Sequence, residues 1–554
     1  MCCVFDRLII FARLWLCLLP ILSQTKESLC AFVLILMGFL WITETIPLAA
    51  TALLPVVLYP LFGIITAEET SQEYMTDTVF ILMGSLIMGI AVQITNLHER
   101  IALRILLLTG TSPRWIMLGF QLSSSLISMW MSNTGTTAMM IPILMKVICE
   151  LERCYRLENE CDNKLDRILA SYESEDLDEA ELLNADPKHL KIYKGLLLCV
   201  AYSATIGGVG TLIGSGPQLV LMDHMNKLYP RECPLTFVNW MLFGMPAVIL
   251  MELFCWMWLQ VLFIGFRKDN KEAGESVHRT IRKRYENLGS LRYFSFAEIS
   301  VLACFVIEAL LWATSNPGFV SGWDELFPKA GDCTKNCKYV TNGTVAISVA
   351  LLLFIIPREN PFGSQPGVGS LSPILTWPDV HKHFSWGTMI MIAGSFAMSR
   401  GVEKSELNHV LENQLRTFSE NLPELLFISL AALMAAILTD FASNTAAASI
   451  LLPVLEITAK SKKVNPLLYS LPTVLCCSFD FMLPAGNPPN AIVFSTGLLR
   501  IREMACAGLV LNCFGLVLSI AMTCSGYAEW VFSMKELPAG WVNSSTQIPL
   551  QQYS

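Results

Sequence analysis

Long apolar runs alternate with short polar breaks along this chain. The clearest runs cover positions 31–58, 79–92, 241–266, 299–313, 345–356 and 509–522. Several approach the roughly 20 apolar residues that a helix needs to cross a bilayer. The pattern predicts an all-α polytopic membrane protein of about 11 transmembrane helices. A further run at 8–22 has the look of a leader peptide. Another span follows it directly, with no good cleavage site between, so it reads as a first span.

Inside this apolar pattern one polar tripeptide occurs twice: Ser132-Asn133-Thr134 and Ser443-Asn444-Thr445. A proline follows each Asn at the same distance, at Pro142 and Pro453, and a hydroxyl precedes each Ser by four, at Ser128 and Thr439. The apolar arms on either side, 115–131 with 135–148 and 425–442 with 446–457, are short for full spans. Each pair predicts a re-entrant helical hairpin with the tripeptide at its tip. There the second arm begins with free N–H groups and the positive end of its dipole. A single Ser-Asn-Thr is most simply a helix N-cap. Two copies with matched flanks point instead to two repeats facing one central binding site.

Downstream of each hairpin lies a helix break. The first is Gly214-Ser215-Gly216-Pro217-Gln218; the second is Gly486-Asn487-Pro488-Pro489-Asn490. Glycine permits unusual dihedrals and proline lacks an N–H, so carbonyls are freed at membrane depth. One break alone could be a simple kink. One in each repeat marks a central site, and hard cations such as sodium are suited to freed oxygens. Asn133 to Pro217 spans 84 residues and Asn444 to Pro488 spans 44. The excess of 40 is about the length of the charged segment 150–194, an insertion in the first repeat.

Composition agrees: 53% hydrophobic, 15% charged, mean hydropathy +0.52. The net charge of -8 sits largely around 173–186, and no basic patch suits nucleic acid. No Lys or Arg falls within 115–145, 195–222, 425–455 or 467–499. An anionic substrate would therefore rely on helix N-termini and bound Na⁺ for its countercharge. Glu44, Glu308, Asp440 and Asp480 are intramembrane ionisable groups and hence functional suspects. Asp440 either joins the second cation site or faces an outer vestibule. The group His98, Glu99, Arg100 and Arg104 reads as an interfacial ion-pair set.

The basic segment 267–284 is placed in the cytoplasm. That puts the sequons at Asn342 and Asn543 on the outer side, consistent with glycosylation, although Lys460, Lys462 and Lys463 then also fall outside. The 18 cysteines lie mostly in apolar segments; Cys233, Cys333 and Cys337 lie in polar loops, as a disulfide or as free thiols. The stretch 358–383, with its Gly-Ser-Gln-Pro-Gly run, reads as a flexible connector.

These residues resemble the divalent anion/sodium symporter family, the sodium-coupled dicarboxylate and sulfate carriers. The likeness runs from WITETIPLAATALLPV through NLHERIALR, both hairpins and WATSNPGFVSGW to NPPNAIVFSTG. SNTGTTAMMIP and DFASNTA look like carboxylate carriers, whereas NPPN leans toward the sulfate branch, and Gln218 departs from the usual Asn. The resemblance implies inverted repeats, an elevator mechanism and a homodimer. It implies transport-domain parts at 115–266 and 421–531, with scaffold parts at 1–114 and 285–420. The cytoplasmic loop 267–284 and an extracellular tail 532–554 complete the division. By position, Ser128, Ser132, Asn133 and Gly214 would form a first sodium site. Thr439, Ser443, Asn444, Gly486 and Asn487 would form a second. Asn133, Thr134, Asn444 and Thr445 would meet substrate carboxylates, with Gly216 and Pro488 lining the pocket.

The expected function is Na⁺-coupled symport of a di- or tricarboxylate such as succinate or citrate, in a plasma-membrane protein. A sodium/sulfate symporter of the same fold and a passive anion channel or exchanger are the alternatives. No His/Cys metal spacing, Walker loop or Ser/His/Asp arrangement points to an enzyme.

Overall fold

The computed structural model describes residues 25–534, apart from 44, 110–111, 161–185, 230–232, 266–277, 280, 284, 287–293, 316–321, 328–338, 361–371, 408–409, 411–421, 441–442 and 485. The expected first span at 8–22, Glu44, Cys333, Cys337, Asn543, most of the basic segment and residues 361–371 of the connector lie outside the described residues. The end of the connector is not a flexible link: Trp377–His383 is a helix, capped by Thr376 and Asp379.

The apolar runs fold as helices, and no strand occurs among the described residues. Among the described residues six helices are long and apolar enough to cross a membrane: Ala67–Ile94, Asn133–Arg153, Pro187–Gly207, Phe237–Ile264, Phe296–Ser315 and Ile501–Cys524. Their outer faces carry exposed large apolar side chains, such as Ile249, Leu253 and Val261, or Ile299, Val306 and Leu310. In water such surfaces would associate; in lipid they face their natural solvent.

The run at 31–58 is not one continuous helix. It divides into Lys26–Thr43, Leu48–Thr51 and Leu54–Leu61. Pro47 and Pro55 stand where the later pieces begin, because a missing N–H costs nothing in a first turn. The Trp41 indole N–H donates to the Leu48 carbonyl at 3.2 Å and holds the bend.

Two sets of elements follow the same order. The first comprises Pro113–Ser128, Asn133–Glu160, Pro187–Gly207, Gly216–Leu228 and Phe237–Leu259; the second comprises Glu424–Thr439, Asn444–Lys462, Leu467–Ser478, Pro488–Phe494 and Ile501–Cys524. Both first arms have 16 residues, about 24 Å at the α-helical rise, short of a ~30 Å hydrocarbon core. Each packs on the helix that precedes its own break, Pro113–Ser128 on Pro187–Gly207 and Glu424–Thr439 on Leu467–Ser478. Gly207 permits the first of these contacts, since a β-carbon there would overlap the Ser125 backbone.

The second arm of the first hairpin runs on to Glu160, further than its apolar pattern predicts. Ion pairs along one face extend it, Arg153 with Glu150 and Arg156 with Glu152 at 3.0 Å. Tyr193 donates to Glu152 at 2.8 Å and ties this stalk to the next helix.

Arg100 differs from its expected role. Its Nε lies 2.8 Å from Glu298, and both side chains are 4% exposed. The guanidinium also lies over the Tyr285 and Phe294 rings. It is thus a buried tie between Leu97–Thr109 and Phe296–Ser315, whereas sequence proximity had suggested an interfacial set with His98, Glu99 and Arg104. His98 is itself buried, with Nδ1 3.2 Å from the Val92 carbonyl. Cys233 is a free thiol in the structure.

Glu298→Ala leaves a buried guanidinium without its carboxylate. The expected cost is about 3–5 kcal/mol, seen as a lower melting temperature of the detergent-solubilised protein. The double variant Arg100→Met/Glu298→Ala should be less destabilised than Glu298→Ala alone.

Candidate functional site

The two hairpin tips are built alike. The first arms end at the hydroxyl residues Ser128 and Thr439, and the second arms begin at Asn133 and Asn444. Ser128 Oγ lies 2.7 Å from Asn133 Oδ1 and 2.6 Å from the Ala204 carbonyl. Thr439 Oγ1 lies 2.9 Å from Asn444 Oδ1 and 2.9 Å from the Cys477 carbonyl. Both hydroxyls are fully buried. A hydroxyl has one proton and two acceptor neighbours here, so oxygen lone pairs outnumber donors at each tip. Such an oxygen surplus fits a small hard cation.

Capping accounts for one part of this arrangement. The Ser132 hydroxyl accepts from the Gly135 N–H at 3.1 Å. Ser443 makes no such cap, and its hydroxyl lies 3.8 Å from Met391 Sδ. Neither Asn133 nor Asn444 is used in this way; their side chains turn back toward the preceding arm.

Each break reaches across to the opposite repeat. Gly216–Leu228 packs on Asn444–Lys462, and Pro488–Phe494 packs on Asn133–Glu160. A β-carbon at Gly216 would overlap Thr445 Oγ1, and one at Gly208 would overlap Asn133 Oδ1. Only glycine lets the breaks approach the tips this closely. Asn487 crosses as well: its amide donates to Thr205 Oγ1 at 2.8 Å and to the Asp480 carbonyl at 3.3 Å. Its side chain therefore ties the second break to the helix that precedes the first one.

Between the tips lies a cavity of about 380 Å³. It is lined by Ser132, Asn133, Thr134, Gly214, Gly216, Ser443, Asn444, Thr445, Gly486, Asn487 and Pro488, so most of the expected site residues meet there. Ser128 and Thr439 stand buried behind the tips, with no place in that lining. Four helices begin at the cavity, at Asn133, Gly216, Asn444 and Pro488. The dipoles of all four favour negative charge, and those at Asn133, Gly216 and Asn444 add N–H groups, whereas the helix at Pro488 opens on two prolines without an N–H. Among the lining residues there is no Lys, Arg, Asp or Glu, and His383 is the one ionisable side chain.

Sequence reasoning missed the opposite wall, which includes Ser85, Gln93, His383, Ser385 and Thr388. These positions belong to no repeated motif, so nothing in the sequence singles them out. It also missed Asn512, whose amide donates to the Asp440 carboxyl at 3.3 Å. Asp440 is 7% exposed. Glu308 is buried too, and its Oε1 makes no hydrogen bond. The paired amides of the breaks differ. Asn490 donates to the Asp480 and Leu483 carbonyls, while neither amide atom of the buried Gln218 makes a hydrogen bond.

Residues 3–534 match the family described as the sodium:sulfate symporter transmembrane region. The chain is 35% identical to a Na(+)/citrate cotransporter of Rattus norvegicus, over 97% of this chain and 96% of that protein. It is 37% identical to solute carrier family 13 member 2 of Homo sapiens, covering 97% and 95%. It is 34% identical to the sodium-dependent low-affinity dicarboxylate transporter 1 of Caenorhabditis elegans, covering 96% and 92%. A match over nearly the whole chain, with relatives at this level of identity, shows that the chain belongs to the sodium:sulfate symporter family of divalent anion/sodium symporters, and that it is a multi-pass membrane transporter of the sodium-coupled class rather than an enzyme.

Proposed function

We propose that this protein couples the entry of Na⁺ to that of a di- or tricarboxylate of the succinate and citrate class. The observation that carries the reading is the cavity between the two tips. It offers the N–H groups of three helix N-termini and, among the described lining residues, no fixed Lys or Arg, so an anion gains its full countercharge from bound cations. The relatives named for citrate and dicarboxylate favour carboxylates over sulfate.

In this reading Asn133, Thr134, Asn444 and Thr445 hold the substrate carboxylates, with Gly216 and Pro488 at the pocket wall. Ser128, Ser132, Asn133 and Gly214 serve one cation; Thr439, Ser443, Asn444, Gly486 and Asn487 serve the other. The hairpins and broken helices, 115–266 and 421–531, move together as an elevator against scaffold parts 1–114 and 285–420. The working unit is a homodimer, inverted repeats place the tips face to face, and Asn342 carries a glycan. Sodium sulfate symport on the same fold is the second reading, favoured by Asn487-Pro488-Pro489-Asn490 and by the family description.

Radiolabelled succinate uptake should depend steeply on external Na⁺ and fall when choline replaces it. Excess citrate should compete and sulfate should not. Sodium-dependent sulfate uptake without succinate uptake moves the protein to the sulfate reading. Uptake unchanged in choline removes sodium coupling altogether.

Asn133→Ala and Asn444→Ala should each abolish transport at normal surface expression; retained transport in both refutes the site. Thr439→Val keeps the shape of the side chain but removes the oxygen. It should raise the Na⁺ concentration for half-maximal uptake about tenfold, on the scale of 1.4 kcal/mol for one lost charge-assisted ligand. Thr439→Ser should stay near wild type.

A further inference from the structure

The two repeats are unequal at one position, and the difference is a full charge. Ala204 and Cys477 occupy matching places, because each carbonyl faces the hydroxyl of its own tip. Three residues further on, the first repeat has Gly207 and the second has Asp480. Asp480 is 0% exposed, and neither of its carboxyl oxygens accepts a hydrogen bond. The Met482 N–H and the carboxyl of Asp440 interact with it. The Asn512 amide is directed to Asp440 and not to Asp480.

This carboxyl stands beside two main-chain carbonyls at Gly486. Around the point where a β-carbon on Gly486 would stand, Asp480 Oδ2, the Thr439 carbonyl and the Asp440 carbonyl all lie within 2.8 Å. The two carbonyls come from the end of Glu424–Thr439 and its cap, where helix carbonyls lack intrahelical partners. Thr439 also supplies the hydroxyl shared with Asn444 and Cys477. A buried carboxylate set against a second carboxyl is costly unless a proton or a cation completes the pair. Three oxygens converging beside a tip hydroxyl are the ligands a hard cation takes.

We propose that Asp480 is a direct ligand of the cation held at the second tip, which makes that site a carboxylate site and the first one a neutral site. This rests on the sodium-coupled reading above and deepens it. The second site then fills at the lower Na⁺ concentration and without any anion present. The first site, with carbonyl, amide and hydroxyl oxygens alone, gains its charge partner only when the substrate arrives.

The test uses the purified full chain in detergent, free of carboxylate and sulfate. Its melting temperature is followed as NaCl replaces choline chloride at constant ionic strength. Wild-type protein should be stabilised along a saturable Na⁺ curve. Asp480→Asn, which keeps the shape, and Asp480→Gly, which copies Gly207, should both move the midpoint to higher Na⁺ by about tenfold or more. At the intermediate screening of a protein interior, a contact between unit charges exceeds the ~1.4 kcal/mol that a tenfold change represents. The first tip is intact in both variants, so residual stabilisation at high Na⁺ reports a folded protein. If one variant aggregates, the other carries the comparison. Midpoints within about twofold of wild type in a folded variant overturn the role of Asp480 and leave sodium coupling standing. Wild-type protein that shows no Na⁺ effect overturns this proposal, and choline-insensitive uptake separately overturns the coupling on which it rests.

Discussion

The governing constraint is that a backbone polar group at membrane depth has no water to bond. A continuous helix answers it internally, and most of this chain takes that course. The two tips and two breaks do not, and they are the places where the chain exposes N–H and C=O groups on purpose. What surrounds them follows from that need. Glycines let backbone approach backbone, as at Gly207 against Ser125 and Gly216 against Thr445. Each half-helix after a break packs on the hairpin of the other repeat. The freed groups thus face one another across a shared cavity, where neither repeat would be complete alone.

That crossing gives the tips a common fate. Asn487 of one break bonds Thr205 of the helix before the other. With Gly216 seated on Thr445, a shift of one tip would force strain or a gap at the other. Close-packed contacts of this kind transmit displacement rather than absorb it. The arrangement holds the two tips and breaks in one packed body.

Much of this was legible in the sequence, for a specific reason. A repeated polar device in apolar surroundings is a strong signal, so Ser128, Asn133, Thr439 and Asn444 stood out, and their geometry matches at the two tips. The short first arms were legible from their apolar length. What escaped was the non-repeated wall with His383 and Gln93, since single polar residues at helix surfaces carry no pattern. The partner of Arg100 escaped too, because Glu298 lies far along the chain and only folding brings the two together. The break in the run at 31–58 was announced by Pro47 and Pro55, yet its apolar composition concealed it.

The absence of Lys and Arg from the cavity wall has a consequence for fidelity. A pocket with a permanent cation would hold an anion unaided and carry it down any gradient. Here a lone anion meets only partial charges, at a depth where hydration has been given up. It gains too little to stay unless positively charged companions arrive with it. The wall thereby acts as a guard against slippage: by withholding a fixed charge, the protein makes joint passage the favourable one.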